Sequence, residues 1–231
     1  MNTGTTLRRP STATLDYYLL HAEADEARAT GLWIEEFVLS DDLGAARLRS
    51  TGWAPGDDGW SSSAAFARAI RTDPELRARV TAIDRATAEA TYRRLGGGDL
   101  PDEEALRGRF RDDSPLHSAA PLRLGTGPDV HRVLFAGAPD AHQIARLSAL
   151  LRLDGTPGPD GVRPGVVGTG RLRVDDTNFR WDLRRLGPGI AWCIDVHSER
   201  PGADALRWLL RQLLDAGRGH GLLPVTVERL S

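Results

Sequence analysis

Residues 189–200, GIAWCIDVHSER, form the clearest buried strand in the chain and contain its only cysteine. Successive side chains of a strand point to opposite faces of the sheet. Ile190, Trp192, Ile194 and Val196 therefore share an apolar face, and Ala191, Cys193, Asp195 and His197 share a polar, chemically capable one.

Just upstream, Phe179, Trp181 and Leu183 alternate with Arg180, Asp182 and Arg184, the pattern of a second half-buried strand. Gly187-Pro188-Gly189 separates the two and predicts a hairpin. A one-residue slip would turn every side chain over, so the apolar sides set the register. Leu183 then faces Ile194, and Trp181 faces Val196. The same register places Arg184 opposite Cys193, Asp182 opposite Asp195, and Arg180 opposite His197.

Around the hairpin, residues 130–136 read as a strand and 139–151 as a helix with Ile144, Leu147, Leu150 and Leu151 on one side. A Gly/Pro-rich loop follows over 154–170, with a short extra strand at 172–174. An amphipathic helix over 204–216 and a last strand over 223–230 complete the chain. Strand-helix-strand-strand-helix-strand resembles the split βαββαβ order of ferredoxin-like folds. That resemblance implies two helices over the Trp181/Trp192 face. The Cys193-Asp195-His197 face would then meet water or ligand, or lie under the N-terminal half.

The expected class is α+β, with an N-terminal mixed α/β domain before the ferredoxin-like one. Residues 1–13 read as a flexible arm, 14–112 as the first domain, 113–128 as a Pro/Gly/Ser-containing linker, and 129–231 as the second domain. Residues 15–22, LDYYLLHA, fit helix and strand equally. Residues 32–39 and 46–53 read as strands. Residues 64–70 and 85–95 read as helices, with further helices opened by Pro74 and Pro101. Gly96-Gly97-Gly98 supplies the helix stop after residue 95.

Composition excludes several chemistries. The 231 residues contain no lysine, so all 30 basic side chains are arginine. Schiff-base chemistry, pyridoxal phosphate attachment and the phosphate-binding lysines of P-loops and kinases are therefore absent. An arginine- and alanine-rich chain is what a GC-rich, bacterial genome produces. A net charge of −2 offers no global attraction to nucleic acid or anionic membrane. No run approaches the ~18 apolar residues of a membrane helix. With one cysteine and no apolar leader, the expected location is cytoplasmic.

Several candidate sites follow. A divalent metal would bridge Asp182, Asp195 and His197, because carboxylate with imidazole suits Zn, Mn or Fe. Without metal, Cys193, Asp195 and His197 are the residue types of thiol catalysis. Residues two apart on a strand lie roughly 6–7 Å apart, however, beyond direct hydrogen bonding. Arg180, Asp182 and Arg184 form a ligand-gripping set on the same face. The simplest alternative is a structural salt-bridge layer in which the arginines pair with the aspartates. Trp53 and Trp60 flank the acidic turn PGDDG and offer a binding lip, or one core tryptophan and one loop anchor. GVVGTG over 165–170 lacks the strand-then-helix context of a nucleotide loop. Glu35 and Glu36 face opposite ways on a strand, so one is expected inside with a partner.

No standard catalytic motif is present. The expectation is a non-catalytic intracellular protein-binding module that regulates or neutralises a partner protein, with no cofactor. A homodimer through the open sheet face is a further possibility. The competing expectation is an enzyme or small-ligand binder of bacterial specialised metabolism using the polar hairpin face.

Overall fold

A computed structural model of the chain describes residues 15–23, 28–56, 59–116, 130–154, 165–174, 176–187, 191–198 and 202–230. In the first half lie β1 (Asp16–His21), β2 (Ala29–Leu39), β3 (Ala45–Trp53), β4 (Trp60–Ser61), α1 (Ala64–Thr72), α2 (Pro74–Ala78), β5 (Val80–Ile83), α3 (Arg85–Arg94), α4 (Glu103–Arg107) and β6 (Asp113–Pro115). The second half holds β7 (Val130–Ala136), α5 (Ala141–Leu150), β8 (Val166–Val174), β9 (Thr177–Arg185), β10 (Ala191–Ser198), α6 (Ala203–Arg218) and β11 (Leu223–Leu230).

The fold is mixed α and β, built on two antiparallel sheets. The first runs β4-β3-β2-β1-β5, with β6 also paired to β3; the second runs β11-β7-β10-β9-β8. The β9–β10 register is the one that alternation demands: Leu183 pairs with Ile194, Asp182 with Asp195, and Arg180 with His197. Leu186 N–H donates to the Ala191 carbonyl at 2.9 Å across the turn. The Pro188-Gly189 turn itself lies outside the described residues.

Helix boundaries follow local chemistry. Ser63, Asp73, Asp84, Asp102 and Asp140 each accept a backbone N–H at a helix start. Asp140 and Gln143 complete a reciprocal capping box on α5. The α6 sequence buries Leu206, Leu209, Leu210, Leu213 and Leu214, the i, i+3, i+4 stripe of an amphipathic helix.

Five segments differ from the sequence reading, two of them the strands β4 and β5, which the sequence reading did not include. The 15–22 ambiguity resolves as strand, because β1 finds edges on both sides, pairing with β2 and β5. Residues 113–115 pair with Arg47–Arg49 of β3 rather than beginning a linker. The 154–170 segment was expected to be loop, yet β8 starts at Val166 and runs to Val174 along β9. Pairing to a neighbour overrides the glycines there. The arm over 1–13 and the linker from 117 onward lie outside the described residues.

One face of the first sheet, with Tyr17, Leu32, Ile34 and Trp53, packs on Ala88 and Tyr92 of α3 and Leu106 of α4. The other face contributes Tyr18, Trp33, Phe37 and Leu48 to a second cluster. That cluster continues through Ala67 and Ile70 of α1 and the α6 leucines to Val133, Phe135, Trp181, Leu183 and Ile194 of the second sheet. The two halves of the chain thus share one apolar core, with α6 inside it.

Candidate functional site

The outward face of the second sheet assembles from β7, β8, β9, β10 and β11. Cross-strand partners share a face. Arg132, Asp195, Asp182 and Thr169 therefore line one row across four strands. Arg171 stands opposite Arg180, and Glu228 opposite Arg132.

The two facing aspartates are each neutralised by separate partners. Arg132 donates to Asp195 through Nε at 2.7 Å and Nη2 at 2.9 Å, and Arg184 Nη1 adds a third bond at 3.0 Å. Asp182 accepts from Thr169 Oγ1 at 2.7 Å and from Arg180 Nη2 at 3.3 Å, with His197 Nε2 at 3.4 Å. Burial opposes the charge on Asp195, but Arg132 and Arg184 hold its carboxyl below the usual carboxylate range. Burial likewise opposes the charge on Asp182; the adjacent His197 ring, the bond from Thr169 and the Arg180 charge outweigh it and hold the carboxyl well down.

This arrangement is a layer of charge-assisted hydrogen bonds. Among the described residues, no group of three or more His, Cys, Asp or Glu side chains is disposed to hold a metal ion. The set Asp182, Asp195 and His197 is divided between two arginine-neutralised clusters. Cys193 is fully buried, and burial together with Asp195 pushes its thiol up to about 12. It is un-ionised at neutral pH, and the His197 ring lies against Asp182. A Cys193-Asp195-His197 relay is therefore not assembled; Cys193 serves as a small apolar residue. Native protein is expected to react with iodoacetamide at least ~100-fold more slowly than urea-unfolded protein, because the thiolate is the nucleophile. Quenched-flow alkylation read by mass spectrometry measures this.

Asp195→Ala is expected to lower unfolding free energy by about 1–2 kcal/mol. Its arginine partners are 25 % and 21 % exposed, so water takes over part of their solvation. Urea titration followed by circular dichroism checks the value. A loss above about 4 kcal/mol would mark the pair as fully desolvated instead.

Trp53 and Trp60 are cross-strand partners on β3 and β4. Trp53 is buried against Tyr92 with ring centroids 4.4 Å apart, and Arg109 lies 5.0 Å over the Trp60 ring. They pack the α3 side of the first sheet rather than opening as a lip. The acidic turn residues Asp57 and Asp58 lie outside the described residues.

Sequence reasoning missed a second polar cluster, set where β1 meets α6. Arg218 Nη2 contacts Asp16 Oδ2 at 2.7 Å, and its Nη1 contacts Asp215 Oδ1 at 2.9 Å. A cavity of about 620 Å³ opens beside them, lined also by Tyr18, Arg85 and Glu103. Deeper in, Glu35 accepts two bonds from Arg71, at 2.8 and 3.0 Å, and one from Trp33 Nε1 at 2.8 Å. The parity of Asp16 and Tyr18 was readable once β1 is a strand. Their meeting with a helix some 200 residues later was not.

No protein-family model, curated protein or solved structure matches this chain. None of its described helices is long and apolar enough to cross a membrane.

Proposed function

We propose that the protein is a non-catalytic, cytoplasmic protein-binding module that regulates or neutralises an acidic partner protein through the open face of its second sheet. The observation that carries this reading is the charge of that face. Arg132, Arg171, Arg173, Arg180 and Arg184 stand there with His197, and their carboxylate neighbours among the described residues are Asp154, Asp176, Asp182, Asp195 and Glu228. The density of arginine, with Arg171 and Arg173 exposed at one edge, suits carboxylate-rich protein surfaces, which arginine grips bidentately.

Two further features support a binding role. Asp182 and Asp195 are held ionised and Cys193 un-ionised by their surroundings, which suits a rigid docking surface better than proton transfer. The order β11-β7-β10-β9, with α5 and α6 contributing to the core on the opposite face, supports the ferredoxin-like reading of this half.

The test uses a photo-crosslinking amino acid at exposed Asn178, which pairs with Arg173 on this face. The chain has no lysine, so amine-reactive cross-linkers would report only its N-terminal amine. Cross-linking in the cells that make the protein should capture one acidic polypeptide. Capture should vanish in Arg171→Glu/Arg173→Glu, and after lysis the purified pair should cross-link more weakly in salt of about 0.5 M, where charge attraction is screened. Cross-links to a second copy of the chain, to nucleic acid or to nothing would overturn the proposal.

A further inference from the structure

We infer that the cavity between the start of β1 and the end of α6 is a binding site for a small organic cation with an apolar body. This site is separate from the open sheet face, and neither proposal rests on the other.

The first warrant is charge. Four carboxylates line the cavity, Asp16, Asp84, Glu103 and Asp215, against the two guanidiniums of Arg85 and Arg218. Leu15, Ile83 and the Tyr17 ring complete the wall with apolar surface, and low-dielectric walls strengthen the field of the carboxylate excess. A volume of about 620 Å³ lies in the size range of small-molecule sites.

The second warrant is independent of charge. Tyr18 is 1 % exposed and also lines the cavity, and its hydroxyl has no hydrogen-bond partner among the described residues. Arg218 Nε is likewise buried without a partner, in a side chain 10 % exposed. Buried polar groups in native proteins are nearly always paired. Two such orphans beside one cavity mark a place where a bound group supplies the missing bonds. A ligand ammonium donates to Asp16 and to the Tyr18 oxygen, and an acceptor on the same ligand meets the Arg218 Nε–H.

Asp16 sets how this site responds to pH. Its side chain is 13 % exposed. Burial, reinforced by Asp215 of α6 and Glu35 of β2, pushes its carboxyl up to about 7 against the pull of Arg218 and of Arg71 on α1. The carboxylate is therefore formed above about pH 7 and neutralised below it. A cation gains its charge partner as pH rises through that value.

The experiment is isothermal titration calorimetry on the full chain with three probes of one shape, each carrying a phenol oxygen as the acceptor for Arg218 Nε–H: tyramine, tyrosol and 4-hydroxyphenylacetate. Amide chemical-shift mapping by NMR locates the site. The cation should bind at least ~10-fold more tightly than either other probe, the discrimination expected of a partly desolvated charge pair. Its affinity should fall ~10-fold or more between about pH 8 and about pH 5.5. Asp16→Asn should remove most of that preference. Tyr18→Phe keeps the ring and the fold and should weaken the cation several-fold, so the test survives if Asp16→Asn does not fold. Equal affinity for all three probes would show mere apolar partition and overturn the inference. So would no binding of the cation at millimolar concentration, or binding unchanged in Tyr18→Phe and across pH; the cavity would then hold water alone.

Discussion

Arg71→Met is expected to lower the free energy of unfolding by about 3–5 kcal/mol, the cost of leaving one member of a buried ion pair alone. The Arg71 and Glu35 side chains are 6 % and 1 % exposed. Arg71 also donates Nε to the Pro224 carbonyl at 2.6 Å and Nη1 to the Ala67 carbonyl at 2.6 Å. One side chain therefore ties β2 and α1 in the first half to β11 in the second. Methionine keeps the stem and its packing but leaves the Glu35 carboxylate with Trp33 as its remaining side-chain donor. The double variant Glu35→Leu/Arg71→Met should recover much of the loss, because two apolar residues bury no uncompensated charge. Urea unfolding of the four proteins completes the cycle. A single-variant loss below about 1 kcal/mol would show that Glu35 reaches water when its partner is removed.

Gly170→Val is expected to cost about 2–3 kcal/mol, a large overpacking penalty. Gly170 pairs with Trp181 across β8 and β9, and the indole lies over the glycine. A Cβ at residue 170 would fall within the indole, 2.6 Å from Cζ2. Trp181 belongs to the core shared by both halves, so any turn of the ring, even towards the cavity of about 540 Å³ that it borders, gives up packed core contacts. Either the ring leaves the core or β8 lifts from β9. Combining Gly170→Val with Trp181→Leu should cost less than the sum of the two single changes, since the smaller side chain clears the volume that valine needs. Strict additivity in thermal and urea unfolding would place the strain elsewhere.

Both expectations concern contacts made across strands or between distant segments, and this is where sequence and structure part. The β9–β10 register was legible because its information is local. Period-2 alternation, two tryptophans and a Gly-Pro-Gly turn admit one pairing that keeps apolar groups together. Helix starts were legible for the same reason, since Ser63, Asp84 and Pro74 act within a turn of their own position. The short strands β4 and β6 were not legible. Two or three residues carry no periodicity, and each forms only because β3 offers an edge. Val80–Ile83 did carry a signal, with β-branched residues at 80, 81 and 83 between two short helices.

For the candidate sites, residue types and faces were readable from the sequence, and their chemical states were not. Asp182, Asp195, Arg180, Arg184 and His197 share a face because alternation requires it. Whether that face is reactive depends on Arg132, which reaches Asp195 from a strand 63 positions earlier. That guanidinium turns an apparent carboxylate pair into a neutralised layer, while burial and Asp195 leave Cys193 without a thiolate. The Asp16–Arg218 cavity lay further out of reach, since its walls come from the start of β1 and the end of α6. The sequence by itself determined the alternating strands, the caps, the lysine-free chemistry and the polar hairpin face, because each is set by neighbours along the chain. Only the tertiary structure decided which charges meet, which are buried and where a cavity remains, because those depend on segments the chain brings together from opposite ends.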